Sequence, residues 1–242
     1  MHAIKTLGLT KKYKDITAVR SLDLEIPKGE LFSLLGVNGA GKSTLIKMLS
    51  CLVKATDGEA FINNHSISSE EALVKSVIAL SPQETAIAHN LSVRENLDLI
   101  CRLHGFGAEK CRAKVEEMME KFNLTPVASK RAGRLSGGYK RRLSIAMALI
   151  SEPEVLFLDE PTLGLDVIAR RELWEVIRNL KGRVTIILTT HYMEEAEALS
   201  DRVGIMKDGA LLVVGTTDEI IKKASAKSFE DSFIFYVSEG EK

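Results

Sequence analysis

The stretch Leu31 to Thr44, LFSLLGVNGAGKST, constrains this chain more than any other. Gly36 to Ser43 satisfies G-x-x-x-x-G-K-[ST], a loop that cradles phosphate between a strand and a helix. Leu31 to Leu35 reads as a buried parallel strand. Gly36, Gly39 and Gly41 permit backbone turns that a Cβ would obstruct, and they leave room for oxyanions. The amides that follow face a phosphate from a helix N-terminus, where the dipole also favours negative charge. Lys42 adds a full positive charge for β- and γ-phosphates, and the Ser43 hydroxyl can ligate Mg²⁺. The competing reading, a glycine-rich junction with no ligand, has to explain four fixed residues in the right strand-to-helix context. The expected class is therefore α/β.

Other residues can be weighed by whether they reach the same edge. Val155 to Asp159 (VLFLD) is a second buried run, ending in Asp159-Glu160-Pro161. Asp159 suits Mg²⁺, usually through water. Glu160, one residue beyond the strand, suits a general base that polarises water. The alternative, a carboxylate pair that only caps the next helix, leaves a phosphate site without its acid. Val184 to Leu188 is another buried strand and leads to His191. A lone histidine is more often structural, so His191 draws its weight from that location. Val77 to Leu80 ends at Ser81-Pro82-Gln83, where Gln83 either contacts a metal or its water or is an ordinary surface glutamine. Tyr13, in the polar stretch TKKYKD, is either an exposed loop tyrosine or a stacking platform for a base. Ser136 is a natural N-cap. Gly137 and Gly138 at a helix start cost helix stability, which makes sense where bare amides must approach something closely.

The remaining pattern sets the organisation. A first strand is expected over 2–9, a half-buried strand through Leu22, Leu24 and Ile26, and a helix from Lys42 to Leu52. Asp57-Gly58 reads as a turn before a strand at Glu59 to Ile62. Helices follow from Val93 to about His104, behind a Ser92–Glu95 capping box, and from Lys110 to Phe122. Asp208-Gly209 marks a hairpin. A helix starts near Thr217, and Phe229 to Val237 is a last amphipathic piece. The chain has 242 residues and 45% hydrophobic content, enough for one large domain with a substantial core. Lys+Arg and Asp+Glu are 33 each, so no broad attraction to nucleic acid is expected. Cys51, Cys101 and Cys111 are widely spaced and odd in number, which fits reduced thiols in a cytosolic protein. No segment approaches the ~20 apolar residues that cross a bilayer, so a membrane role is expected to need a partner.

Together these motifs resemble the ATP-binding-cassette ATPases, the nucleotide-binding subunits of ABC transporters, over essentially the whole chain. GVNGAGKST is similar to Walker A, which implies ATP contacts from Gly36, Asn38, Gly39, Ala40, Gly41, Lys42, Ser43 and Thr44. VLFLDE resembles Walker B with its catalytic Glu160. LSGGY, Leu135 to Tyr139, resembles the family signature, with Tyr139 where glutamine is usual. Gln83 falls at the Q-loop, Asp166 at the D-loop, His191 at the switch histidine and Tyr13 at the adenine-stacking A-loop. The resemblance implies a P-loop NTPase core with a mixed sheet, an antiparallel β subdomain and an inserted α-helical subdomain. The core is placed at 1–82 and 152–215, the helical insertion at 83–151 and a short helical extension at 216–242. It implies ATP and Mg²⁺, and a second ATPase subunit, identical or not, whose Ser136, Gly137 and Gly138 close on this chain's ATP. The residues alone put both helix N-termini on one edge and leave cis and trans open. It also implies an integral membrane permease, met near Glu84 to His104, and a peripheral position on the cytoplasmic face of the membrane. THYMEEAEALSDRVGIMKDGALL and SFEDSFIFY are similar to ABC-2-type exporters of drugs, lipids or polysaccharides, including the daunorubicin-resistance-like group. The alternative is a soluble ABC ATPase acting on ribosomes or DNA. Those usually carry two cassettes or a long coiled-coil insertion, and this chain shows one cassette.

Overall fold

The structure, a computed structural model, describes residues 2–239. The chain begins with β1 (His2–Tyr13), β2 (Ile16–Pro27), β3 (Leu31–Leu35), α1 (Lys42–Leu49), β4 (Asp57–Ile62) and β5 (His65–Ser66). Next come α2 (Glu71–Val77), β6 (Ile78–Ser81), α3 (Val93–Leu103), α4 (Ala108–Lys121) and α5 (Gly137–Leu149). The last part holds β7 (Val155–Asp159), α6 (Val167–Arg178), β8 (Thr185–Thr190) and α7 (Met193–Leu199). It closes with β9 (Arg202–Lys207), β10 (Ala210–Gly215), α8 (Thr217–Ala224) and α9 (Phe229–Glu239).

The strands form two sheets, ordered β2-β1-β4-β5 and β10-β9-β3-β8-β7-β6. The first is antiparallel throughout. In the second every pairing from β9 to β6 is parallel, and only β10 runs the other way, through the Asp208-Gly209 hairpin. The reason lies in composition. Every residue of β3, β7 and β8 is buried, and a strand apolar on both faces belongs inside a covered parallel sheet. Alternate residues then feed two cores. Leu156, Leu158, Ile186 and Leu188 pack with Val93, Leu97, Val115, Met119, Phe122 and Leu143 from α3, α4 and α5 or their ends. Phe32, Leu34, Phe157 and Ile187 pack with Leu45, Ile46 and Leu49 of α1 and with the antiparallel sheet. The helices between residues 83 and 151 therefore bury their stripes against one another and against the parallel sheet. A third cluster, Leu35, Ala196, Val203, Ile205, Ile220 and Phe229, fastens α8 and α9 to the main sheet.

Register fixes what the edge carries. Leu35 lies beside Thr190, Asp159 beside Thr189, and Leu158 beside Ser81. All four C-terminal strand ends therefore open on one side, where open α/β sheets bind ligands. β8 stands between β3 and β7.

Three local expectations need correction, and one helix was not expected. β1 continues to Tyr13, which pairs with Ile16 across the turn instead of lying in a loop. Register shifts let this polar stretch stay in the ladder. α1 stops at Leu49: Ser50 Oγ donates back to Ile46 O at 2.8 Å, Cys51 turns to φ 55°, and Leu52 is left 60% exposed. Asp57 and Gly58 belong to β4, and a Cβ on Gly58 would lie 2.2 Å from Gly8 O. That glycine serves a close approach between strands rather than a turn. The short α2 buries only Val74, too weak a stripe to read from periodicity. Residues 240–242 of the expected extension lie outside the described residues. The three cysteines are free thiols, and burial first of all pushes Cys101 up to about 12, which makes it inert near neutral pH.

The segment between β6 and α3 is held by Asn96, which is fully buried. Its Oδ1 accepts from Ala88 N at 2.8 Å, and its Nδ2 donates to Ala88 O at 3.1 Å and Ser92 O at 2.9 Å. Replacement by alanine leaves three partly buried backbone groups without these partners. Asn96→Ala is expected to lower unfolding stability by about 2–4 kcal/mol in urea titration. An unchanged midpoint would remove this side chain as the clasp of that segment.

Candidate active site

A cavity opens at the shared strand edge, lined by Ala18, residues 38–44, Gln83, Glu160, Leu163 and His191. Its floor is the glycine-rich loop. Gly39 and Gly41 take φ 86° and 102°, and a Cβ on Gly41 would stand 2.3 Å from Ala18 O. The loop is thus pressed against β2, and only glycine fits there. Gly36 is as tightly placed, with a Cβ position 2.4 Å from Met206 O. Gly41 is also the N-cap of α1 and supplies no side-chain bond to the first-turn amides. Those amides are the natural acceptor-seeking groups of the site.

Lys42 is 4% exposed. Its ammonium donates to Gly36 O at 2.7 Å and Val37 O at 3.2 Å, and lies 3.8 Å from Glu160 Oε1. Burial holds its pKa below the ordinary lysine value, opposed by the carboxylates of Glu160 and Asp159. Asp159 Oδ1 accepts from Ser43 Oγ at 3.0 Å and from Thr189 Oγ1 at 2.6 Å. Glu160 has left the strand and sits in the left-handed region at φ 46°. This is a strained setting for glutamate. Its amide donates to Thr189 O at 3.1 Å and Thr189 Oγ1 at 3.0 Å, which holds the turn. His191 Nδ1 lies 3.2 Å from Glu160 Oε2 but outside hydrogen-bonding geometry, a buried nitrogen without a bonded partner. Ser43 Oγ and Asp159 Oδ1 at 3.0 Å, with Gln83 on the same lining, form an all-oxygen donor set of the kind Mg²⁺ prefers.

The structure brings Asn38, Gly39, Ala40, Gly41, Lys42, Ser43, Thr44, Gln83, Glu160 and His191 around one cavity. Gly36 and Asp159 stand just behind it, through their bonds to Lys42 and Ser43. Tyr13, Ser136, Gly137, Gly138 and Asp166 are not on that lining. Tyr13 is 44% exposed at the end of β1, with Lys11 Nζ 5.0 Å from its ring centroid. Its partner Ile16 lines an adjoining hollow with Ala18 and Gly39. Ser136 takes the N-cap position of α5, but its hydroxyl makes no cap bond, contrary to the capping expectation. The glycines after it have a packing reason as well. A Cβ on Gly138 would lie 3.2 Å from Ala169 Cβ, so α5 closes tightly on the start of α6. Asp166 caps α6 by accepting from Ala169 N at 2.9 Å. Tyr139, in the unusual signature position, packs against its own core, with the Arg142 guanidinium 5.3 Å from its ring centroid.

Sequence reasoning missed Ala18 and Leu163 on the lining and Thr189 beneath the carboxylates. Thr189 was within reach: it directly follows the expected strand Val184 to Leu188 and leads toward His191. Ala18 and Leu163 carry no chemical signal.

A family model described as ABC transporter matches residues 19–163, and an AAA-domain model overlaps it at 131–196. The daunorubicin resistance ATP-binding protein DrrA3 of Streptomyces coeruleorubidus is 42% identical over 90% of this chain and 69% of its own length. The daunorubicin/doxorubicin resistance ATP-binding protein DrrA of Streptomyces peucetius is 38% identical over 90% and 66%. The phospholipid-transporting ATPase ABCA3 of Homo sapiens is 41% identical over 88% of this chain but only 13% of its own length. This chain thus spans about two thirds of the two bacterial relatives and a small part of the human one. Among solved structures, an ATP-binding subunit of an ABC transporter superposes with a TM-score of 0.86 at 26% identity, covering 97% of this chain and 99% of that one. The ATP-binding cassette MJ0796, in a dimeric post-hydrolysis state bound to ADP and Pi, gives 0.79 at 27% identity, covering 88% and 98%. With its phosphate loop, strand-end carboxylates and LSGG segment in the family's order, the chain belongs to the ABC transporter family, as an ATP-binding domain that hydrolyses ATP.

Proposed function

We propose that this chain is the ATPase subunit of an ABC exporter. It works as half of a dimer at the cytoplasmic face of a membrane and drives a separate permease. The observation that carries the dimer is the incomplete site. The cavity holds the phosphate loop, Glu160 and His191, while Ser136 to Gly138 lie off its lining with their serine hydroxyl uncommitted. A second subunit supplies that helix N-terminus to the open side of the nucleotide. The dimeric state of the ATP-binding cassette MJ0796 supports the pairing of two subunits.

Within the site, the phosphates replace the carbonyls of Gly36 and Val37 as acceptors for Lys42. Loop amides from Gly39 to Thr44 take the remaining oxygens, and Tyr13 stacks on the adenine. Ser43, Gln83 and, through water, Asp159 would hold Mg²⁺, which neutralises charge on the β- and γ-phosphates when bound. With Lys42 turned to phosphate, the Glu160 carboxylate is free to take a proton from water attacking the γ-phosphorus. His191 bonds the γ-phosphate and keeps Glu160 oriented, and Asp166 lies toward the dimer seam.

Two relatives named for daunorubicin resistance support export, with a drug, lipid or polysaccharide as cargo. Among the described residues no helix is long and apolar enough to cross a membrane. The test is detergent extraction followed by affinity purification of the tagged chain. Recovery with a multi-helix membrane protein is expected. Recovery with ribosomes or DNA and no membrane protein would replace this reading with that of an ABC ATPase acting on those particles.

A further inference from the structure

Arg141 is 5% exposed, one turn into α5, and no catalytic role accounts for it. Its Nη1 donates to Pro82 O and its Nη2 to Gln83 O, both at 2.6 Å. One turn further along, Ser144 Oγ meets Ser81 Oγ at 3.0 Å in a buried contact. The same helix is held on its other side, where Arg142 pairs with Glu172 of α6 and Gly138 abuts Ala169. A rigid guanidinium that grips two consecutive carbonyls is a charge-assisted, geometrically exact tether. It joins the helix that begins with Ser136 to Gly138 to the backbone that presents Gln83 to the cavity.

We propose that Arg141 is a positioning residue that couples the two ATP sites of a dimer. This rests on the reading that Ser136 to Gly138 close on the partner's nucleotide. When they do, α5 is drawn toward the partner, and Arg141 carries that displacement one helical turn to Pro82 and Gln83. Gln83 then takes its place in this chain's own site. Each subunit thereby sets its metal-facing glutamine only when the opposite nucleotide is engaged. A lysine at this position offers one ammonium for two carbonyls and transmits the movement loosely. An apolar side chain of similar length transmits nothing.

Hydrogen exchange on the full chain carrying Glu160→Gln, with and without ATP, tests this without requiring turnover. In the ATP-bound dimer, exchange at Gln83 to Thr85 is expected to slow about tenfold relative to the ATP-free monomer. With Arg141→Met added, the dimer still forms and Lys42 to Thr44 remain protected, but the slowing at Gln83 to Thr85 disappears. Arg141→Lys falls between the two and carries the comparison should the methionine variant fail to fold. A purely local tether would speed exchange equally in monomer and dimer and leave their ratio unchanged, and that result overturns the proposal. If Glu160→Gln forms no ATP-dependent dimer, the trans reading falls and the coupling falls with it. In the chain with Glu160 intact, Arg141→Met is expected to lower kcat about tenfold while KM for ATP stays within about twofold. An unchanged kcat counts against the coupling.

Discussion

Glu160→Gln is expected to reduce ATP turnover by roughly 10²–10⁴-fold, about 3–5 kcal/mol of barrier, while leaving ATP binding intact. The substitution keeps the side chain's size and its place between Lys42 and His191, at 3.8 and 3.2 Å. It removes the basicity that takes a proton from water. It also removes one negative charge from the neighbourhood of the γ-phosphate, so affinity for ATP is unchanged or higher. In the proposed dimer, where hydrolysis would reopen the interface, the closed form should then accumulate. Phosphate release measures the first effect, titration with a fluorescent ATP analogue the second, and size exclusion with ATP the third. Turnover at the wild-type rate would exclude Glu160 as the base and return it to the role of holding the strained turn at φ 46°.

Lys42→Met should act on the opposite side of the ledger of rate and affinity. The charge-assisted bond to phosphate is worth about 1.5–3 kcal/mol, so ATP affinity is expected to fall about 10–150-fold. Folding should change little. The native state loses a desolvated ammonium, which is favourable, and leaves Glu160 and Asp159 without their counter-charge, which is unfavourable. An unshifted melting temperature with weak binding separates a lost ligand contact from a lost fold. The wild-type protein should show the same group by titration. Burial lowers the pKa of Lys42 from the ordinary 10.5, so its charge is lost at lower pH than an exposed lysine's. For a base depressed in the native state, the charging penalty is fully present below the folded pKa and relieved as pH rises through it. The free protein therefore gains stability from this group as pH rises through the window below 10.5, while ATP affinity declines there. Affinity that holds constant to the ordinary lysine range would contradict the inferred burial effect.

The chemistry of the site was legible because its signals are local. Eight positions from Gly36 to Ser43 specify a strand, a tight turn and a helix start, and the structure returns β3, two positive-φ glycines and α1. VLFLD and TIILTT carry their burial in their composition. Ser92 and Glu95 form both bonds of the capping box that their spacing implies. What failed locally failed for stated reasons: α2 has one buried residue, and Gly58 answers to Gly8 on a neighbouring strand rather than to its own turn.

By itself the sequence determined the phosphate-loop pattern, the strand-end carboxylate pair and which runs are buried. The tertiary structure decided how they face one another. β3, β7 and β8 are each buried along their whole length, so burial pattern alone does not say that β8 lies between the other two. That order places His191 across from Glu160 and lets Thr189 support Asp159. It also leaves Ser136 to Gly138 off the cavity's lining, and it sets Arg141 against Pro82 and Gln83. Hydrophobic pattern selects a face, period and length, but strand neighbours are chosen by pairing between segments far apart in the chain. That long-range choice brings the loop at Gly36 to Ser43, Glu160 and His191 around one cavity.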